Sequence, residues 1–198
     1  RTLGPRGDKI SLNLTVLSEN RRGGDMRIIN GTDMMDQPQH LSALAESADT
    51  RRLDLSLNGQ HPLSEALLLK WDASLSQTRR ETYYGAKENL EDEAGPNAYG
   101  VSRNPVWVGS LNLTWRGLPG HTVLIGTSFN RDRIQDDAPA YNRSLRETYT
   151  DLGLLVQDEW DIDTGLSLLA GFRSDKHSAL EEWVVSPRAS LIFKGLPH

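Results

Sequence analysis

The five histidines and the acidic clusters are the residue types that could do chemistry, and their spacing argues against most of it. His40, His61, His121, His177 and His198 include no pair at a metal-ligand spacing such as His-x3-His, and each falls near a turn or loop. Surface histidine is the plain reading, and no metal site is expected. Asp132, Asp136 and Asp137 stand together in a predicted loop, where carboxylates so spaced suit calcium. A solvated loop explains them more simply. Asp158, Glu159, Asp161 and Asp163 have the look of a calcium loop, but the glycine and the distal glutamate of such a loop are out of place. There is no Gly-x-Ser-x-Gly elbow, phosphate-binding loop or dinucleotide fingerprint. No convergent His/Asp/Ser set can be assembled, so the chain is read as a non-enzyme without a cofactor. Arg21, Arg22, Tyr83, Tyr84, Tyr141 and Arg143 remain as loop candidates for ligand contact, the guanidinium groups being suited to an anionic ligand.

The elements that must position these residues are written in a period of two. Apolar residues alternate at Ile10, Leu12, Leu14 and Val16, at Leu53, Leu55 and Leu57, and at Leu67, Leu69, Trp71, Ala73 and Leu75. The pattern returns at Trp107, Leu111, Leu113 and Trp115, at Val123, Ile125 and Phe129, and at Leu152, Leu154 and Val156. The last runs are Leu166, Leu168, Ala170 and Phe172, then Val185, Ala189, Leu191 and Phe193. Successive side chains of a strand point to opposite faces, so each run is a strand with one apolar face. The other face is polar or small, as in Arg52, Asp54, Ser56 and Asn58, or Lys70, Asp72, Ser74 and Ser76. This gives about eight strands. The one helical candidate is Leu41 to Ala48, inside a loop.

Connections alternate in length. Tight turns are predicted at Gln60-His61-Pro62-Leu63-Ser64, Gly117-Leu118-Pro119-Gly120 and Asp163-Thr164-Gly165, with glycine and proline supplying the turn chemistry. Long polar loops are expected near 20–50, 79–104 and 131–147, with a shorter one at 175–183. Loops of this length are unusual inside compact domains. Their alternation with tight turns places every long loop at one end of the sheet, as in outer-membrane barrels. Trp107 and Trp115 bracket one strand on one face. About eight residues at ~3.3 Å rise, tilted near 40°, span roughly 20 Å, close to the apolar band of such a barrel. Trp160 ends a strand at a turn, and Trp183 lies at the loop end with Tyr83, Tyr84 and Tyr149. Aromatic residues at both strand ends are where interfacial girdles put them.

Composition sets outer limits. The chain has no cysteine, which excludes a disulfide framework and a cysteine zinc site. Its 27 acidic and 22 basic residues are mixed along the chain, so no nucleic-acid footprint is present. Mean hydropathy is -0.52, and no stretch approaches the roughly 20 apolar residues of a spanning helix. Neither observation bears on a barrel, whose strands show half their side chains to lipid. Of the Asn-x-Ser/Thr sequons at Asn13, Asn30, Asn112 and Asn142, two fall within predicted strands.

Several segments together resemble a known family. Leu152-Gly-Leu-Leu-Val-Gln-Asp-Glu-Trp160 runs through a short turn into Leu166-Ser-Leu-Leu-Ala-Gly-Phe-Arg-Ser-Asp175, followed by Val185-Ser-Pro-Arg-Ala-Ser190. Ser18-Glu-Asn-Arg-Arg-Gly-Gly24, Glu46-Ser-Ala-Asp-Thr-Arg-Arg52 and Tyr83-Tyr-Gly85 look like loop entries and returns of the same kind. In order and spacing these resemble the barrel of TonB-dependent receptors, over nearly the whole chain. The resemblance implies active uptake of a scarce ligand (a siderophore, cobalamin, haem or an oligosaccharide) across the Gram-negative outer membrane. It implies outer-membrane lipid, the TonB protein and a plug domain as partners, with specificity in the loops. Loop packing or lipopolysaccharide contact would use the same arginines and tyrosines as ligand binding.

The expected fold is therefore all-β. It is an antiparallel up-and-down meander, a single partial barrel domain at 1–198 without the plug or the TonB-contacting segment. The polar-face residues Arg52, Asp54, Lys70, Asp72, Arg173 and Arg188 are candidates to hold a plug by ion pairs. A second reading is a self-contained eight-stranded barrel around one small ligand, soluble or membrane-embedded. A third is a barrel enzyme, for which the residues are lacking.

Overall fold

The computed structural model describes residues 7–24, 44–86 and 98–193, together with the short strand β1 at Thr2–Leu3. Eight longer strands follow: β2 Asp8–Gly24, β3 Leu44–Pro62, β4 Leu67–Ala86, β5 Ala98–Trp115, β6 His121–Ala138, β7 Arg143–Asp161, β8 Leu166–His177 and β9 Val184–Phe193. They form one nine-stranded sheet in the order β1-β2-β3-β4-β5-β6-β7-β8-β9, every neighbour antiparallel. This is the expected meander. Among the described residues β1 and β9 do not pair, so the sheet is an open ribbon rather than a closed barrel.

Register carries the apolar pattern from strand to strand. Leu14 lies opposite Leu55, Leu55 opposite Leu75, Leu75 opposite Trp107 and, one row on, Gly109 opposite Phe129. Ile125 then meets Val156, Val156 meets Phe172, and Leu168 meets Leu191. A slip of one residue in any pair would turn a whole strand over, so the shared apolar face fixes the register. That face is left open. Leu12 is 64% exposed, Val16 72% and Phe193 73%. Only Ala48, Tyr83, Ala138 and Ser167 appear as buried side chains among the described non-glycine residues. A soluble sandwich buries its apolar faces against a second layer, and the described strands form one layer only.

The turn side agrees with the sequence except between β3 and β4, where Gln60, His61 and Pro62 still pair with Lys70, Leu69 and Leu68 and only 63–66 make the turn. Leu63 N donates to Leu67 O at 2.8 Å, Ile162 N to Leu166 O at 2.9 Å, and Gly165 N to Asp163 Oδ1 at 2.7 Å. Gly120 takes φ 75° in the β5–β6 turn, a conformation that glycine reaches without steric cost.

The loop side departs from it. Strands run much further than the apolar pattern: β2 continues to Gly24, β4 to Ala86 and β6 to Ala138. The β6–β7 connection is the 3-10 turn Pro139–Tyr141 and Asn142 in the left-handed region, not a loop over 131–147. Residues 25–43 and 87–97 lie outside the described residues. The expected helical turn is also overturned from Leu44 to Ala48, which belongs to β3; its start lies outside the described residues. Beyond the apolar belt the strands keep their backbone ladder while both faces become polar. Alternation of hydropathy therefore stops marking strand where the pairing continues. A strand as long as β4, 20 residues, extends roughly 66 Å. Even tilted, that is about twice the ~25 Å apolar band of a membrane barrel.

A single layer with one bare apolar face makes a direct prediction. The isolated chain should form large oligomers in plain buffer, hiding that face and its open edge strands. Mild detergent should relieve them. Light scattering reads both states, and a monodisperse 22.1 kDa species in buffer would contradict the open apolar face.

Candidate functional site

The two faces provide different chemistry. On the polar face, side chains bond both along a strand and between neighbouring strands. Arg52 Nε donates to Asp54 at 2.8 and 2.9 Å, and Ser110 donates to Asp72. Asn104 Nδ2 donates to Asp132 Oδ1 at 2.5 Å and Ser102 Oγ to Asp136 Oδ1 at 2.6 Å. Arg173 spans Asp175, at 2.7 and 2.8 Å, and Ser128 Oγ at 3.2 Å. Asp151 Oδ1 is buried without a hydrogen-bond partner among the described residues. Such an atom costs free energy until a donor reaches it.

The acidic cluster expected in a loop lies on a strand. Asp132, Asp136 and Asp137 are strand residues of β6. Besides the bonds above, Asp136 pairs with Arg143 Nε at 2.7 Å, and Asp137 accepts from Ser144 Oγ at 2.7 Å. Asp136 and Asp137 face opposite ways, and Asp132, on the same face as Asp136, lies four residues and about 13 Å along the strand from it, so these carboxylates do not converge. Among the described residues no group of three acidic or histidine side chains is placed to hold a metal ion.

The loop candidates divide in two. Arg21, Arg22, Tyr83 and Tyr84 border one open depression at the loop-side end of β2, β3 and β4, with Glu46 and Arg80. Their parity separates them again. Arg21 and Tyr84 share the polar face, where Gly23 lies opposite Glu46 and Glu46 opposite Tyr84. Arg22 and Tyr83 have the opposite parity. Tyr83 is buried, its ring over Gly85 and 4.9 Å from that of Tyr99. Burial, then the neighbouring Tyr99, pushes its phenol above the ordinary value. Arg21 is held by Glu19 at 2.7 Å. Tyr141 and Arg143 sit apart, in and just after the β6–β7 turn, with Tyr141 exposed and Arg143 committed to Asp136.

The aromatic residues stand at both ends of the apolar belt. Trp107 and Trp115 share the apolar face of β5 and are exposed, Trp160 lies at the turn end of β7, and Trp183 lies just before β9. The structure adds partners that one-dimensional spacing does not show. His61 accepts from Trp71 Nε1 at 3.0 Å through Nε2 and faces Asp8 Oδ1 at 3.3 Å through Nδ1. Acceptance at Nε2 places the proton on Nδ1. His121 repeats the arrangement with Asp158 at 2.7 Å and the Trp160 ring stacked at 5.4 Å. Both clusters lie at the turn-side edge of the belt, where an amphipathic ring meets polar surroundings. The register brings together residues far apart in sequence, and no local motif announces them. Lys176 also lies on the apolar face, opposite Leu152, and turns its ammonium back to Leu180 O at 2.9 Å and Glu181 O at 2.5 Å. That is how a cation escapes an apolar surface.

Comparison with known proteins fits this architecture. Residues 5–198 match the family described as TonB dependent receptor-like, beta-barrel. A solved structure titled "Copper transporter OprC" is similar with a TM-score of 0.50 and 12% identity, covering 75% of this chain and 28% of that one. The siderophore receptor PirA from Pseudomonas aeruginosa aligns at 18% identity with a TM-score of 0.38, covering 74% of this chain and 33% of that one. The chain thus spans about a third or less of the length of these structures. No curated protein sequence matches. The match across nearly every residue, on a single-layer meander with one continuous apolar face, shows that the chain belongs to the TonB-dependent receptor β-barrel family.

Proposed function

We propose that the protein is a Gram-negative outer-membrane receptor that takes up a scarce extracellular ligand, driven by TonB, and that residues 1–198 form part of its barrel wall. The observation that carries this is the pairing of faces. One continuous apolar face runs across the meander, with tryptophan at the belt edges, and a hydrogen-bonded polar face lies behind it. Lipid offers backbone amides no partner, so a spanning sheet must satisfy them within itself. A lumen as wide as a receptor of this family encloses needs a plug. The polar face suits that role: Arg52, Asp54, Asp72 and Arg173 offer charge, and the unpartnered Asp151 Oδ1 offers an acceptor for a plug donor. At the loop end, Arg21 and Tyr84 face the same way as Arg143 and are the side chains we assign to ligand contact. Arg22, Tyr83 and Tyr141 are less well placed for it. The ligand falls in the range that the family resemblance implies, an anionic ferric siderophore suiting the arginines best. No step of this activity makes or breaks a covalent bond.

The test is uptake by cells that express the protein, with and without TonB, from a panel of labelled ferric siderophores, cobalamin, haem and oligosaccharides. Accumulation of one ligand that disappears without TonB is the expected result. Accumulation indifferent to TonB, or none across the panel, would sink the proposal.

A further inference from the structure

The apolar face changes character toward the loop side. Arg51 lies opposite Arg79, and Arg79 opposite Arg103, so three guanidinium groups stand side by side on adjacent strands. Arg131 lies opposite Trp107 at the belt edge, and Arg133 and Arg146 continue the same face on β6 and β7. Like charges directly opposite across strands destabilise a sheet unless something neutralises them. The neighbouring carboxylates do so only in part. Arg51 reaches Asp49 at 3.6 Å, Arg79 reaches Glu81 at 2.5 Å and Arg146 reaches Asp137 at 3.8 Å. Arg103, Arg131 and Arg133 are exposed, and none has a carboxylate within ion-pair distance among the described residues. The turn-side end of this face is the reverse. There the described strands carry Asp8, His61, His121 and Asp158, and no arginine or lysine. A chain of net charge -5 has thus concentrated unpaired cations on one edge of its apolar belt.

We propose that this arginine band binds the phosphate headgroups of lipid in the outer leaflet, an inference that rests on the membrane reading above. Height supports it. Arg103 lies four residues before Trp107 on the same face, about 13 Å along the strand and roughly 10 Å along the membrane normal after tilt. The headgroup layer is about 5–8 Å deep on each side of the hydrocarbon, so Arg131 and Arg133 lie within it, and the long side chain lets Arg103 reach back to it. Arginine presents a planar fork that grips phosphate oxygens bidentately, and a row of them on rigid paired strands is preorganised for several phosphates. The band faces outward, away from the polar face, so a ligand passing through the lumen would not meet it.

The test reconstitutes the full-length protein in phosphatidylcholine vesicles that contain phosphatidic acid, brominating the acyl chains of one lipid or the other. The readout is quenching of Trp107, taken as the difference from Trp107→Phe. Brominated phosphatidic acid should quench Trp107 beyond its share of the mixture, and added salt should weaken that preference. Replacing Arg103, Arg131 and Arg133 together by glutamine should lower the preference about fivefold per residue, roughly a hundredfold in all. Brominated phosphatidylcholine should still quench that variant, which shows it is folded and inserted. Equal quenching by both lipids in the unaltered protein would overturn the headgroup site and leave the membrane reading standing. No quenching by either would overturn both. Loss of the preference on adding inorganic phosphate, but not sodium chloride of the same ionic strength, would assign the band to free anions and overturn the lipid assignment.

Discussion

Leu111→Arg is expected to lower the stability of the protein in a bilayer by about 2–4 kcal/mol, a thirty- to thousandfold change in the folded-to-unfolded ratio. Leu111 lies midway between Trp107 and Trp115 on the apolar face, opposite Trp71 and Thr127, and its side chain is exposed. In water an exposed leucine to arginine change costs little, so the size of the effect reads the surroundings of this face. At mid-belt the guanidinium cannot do what Lys176 does at the belt edge, because no loop carbonyl is within reach. The matched control is Ser74→Arg. Ser74 occupies the polar face, between Asp72 and Ser76 on β4 and opposite Ser56 and Val108, where a cation gains carboxylate neighbours. That change should stay within about 1 kcal/mol. Urea titration of both variants refolded into vesicles measures the difference. Equal costs at the two positions would mean that the apolar face is not lipid-facing.

Gly59→Val is expected to cost about 1–3 kcal/mol, by displacing a tryptophan rather than by changing the backbone. Gly59 lies opposite Trp71, and the indole rests on the space that a side chain there would fill. A β-branched residue would drive the ring away and break its bond to His61, leaving the Asp8–His61 pair without its cover. Aromatic cover of a strand glycine is a known device for stabilising sheets. Gly109 is the control on the same face. A Cβ there meets only Asp72 O, at an ordinary 3.6 Å. Gly109→Val should therefore be neutral or slightly stabilising, since valine suits a strand and adds apolar surface to the belt. Intrinsic tryptophan emission should shift to the red in Gly59→Val and not in Gly109→Val. Unchanged emission and stability in Gly59→Val would remove Trp71 from the interfacial role given to it.

The sequence by itself determined the strands of the belt, their up-and-down order and the side on which the tight turns lie. Period-two alternation is a local property, so Leu53-Leu55-Leu57 or Leu166-Leu168-Ala170 can be read without knowing any neighbour. The placement of Trp107 and Trp115 on one face was legible for the same reason. Only the tertiary structure decided where the strands end, which residues meet across them and which loop candidates look the same way. Beyond the belt both faces are polar, and the continued ladder from Ser18 to Gly24 or from Arg131 to Ala138 is held by backbone pairing that hydropathy does not encode. That is why Asp132, Asp136 and Asp137 read as a loop cluster and proved to be strand residues with separate partners. Register alone brought His61 to Trp71 and Asp8, stacked His121 on Trp160, and set Arg51, Arg79 and Arg103 in a row. Each of these groupings joins different strands, and a one-residue slip would dissolve all of them.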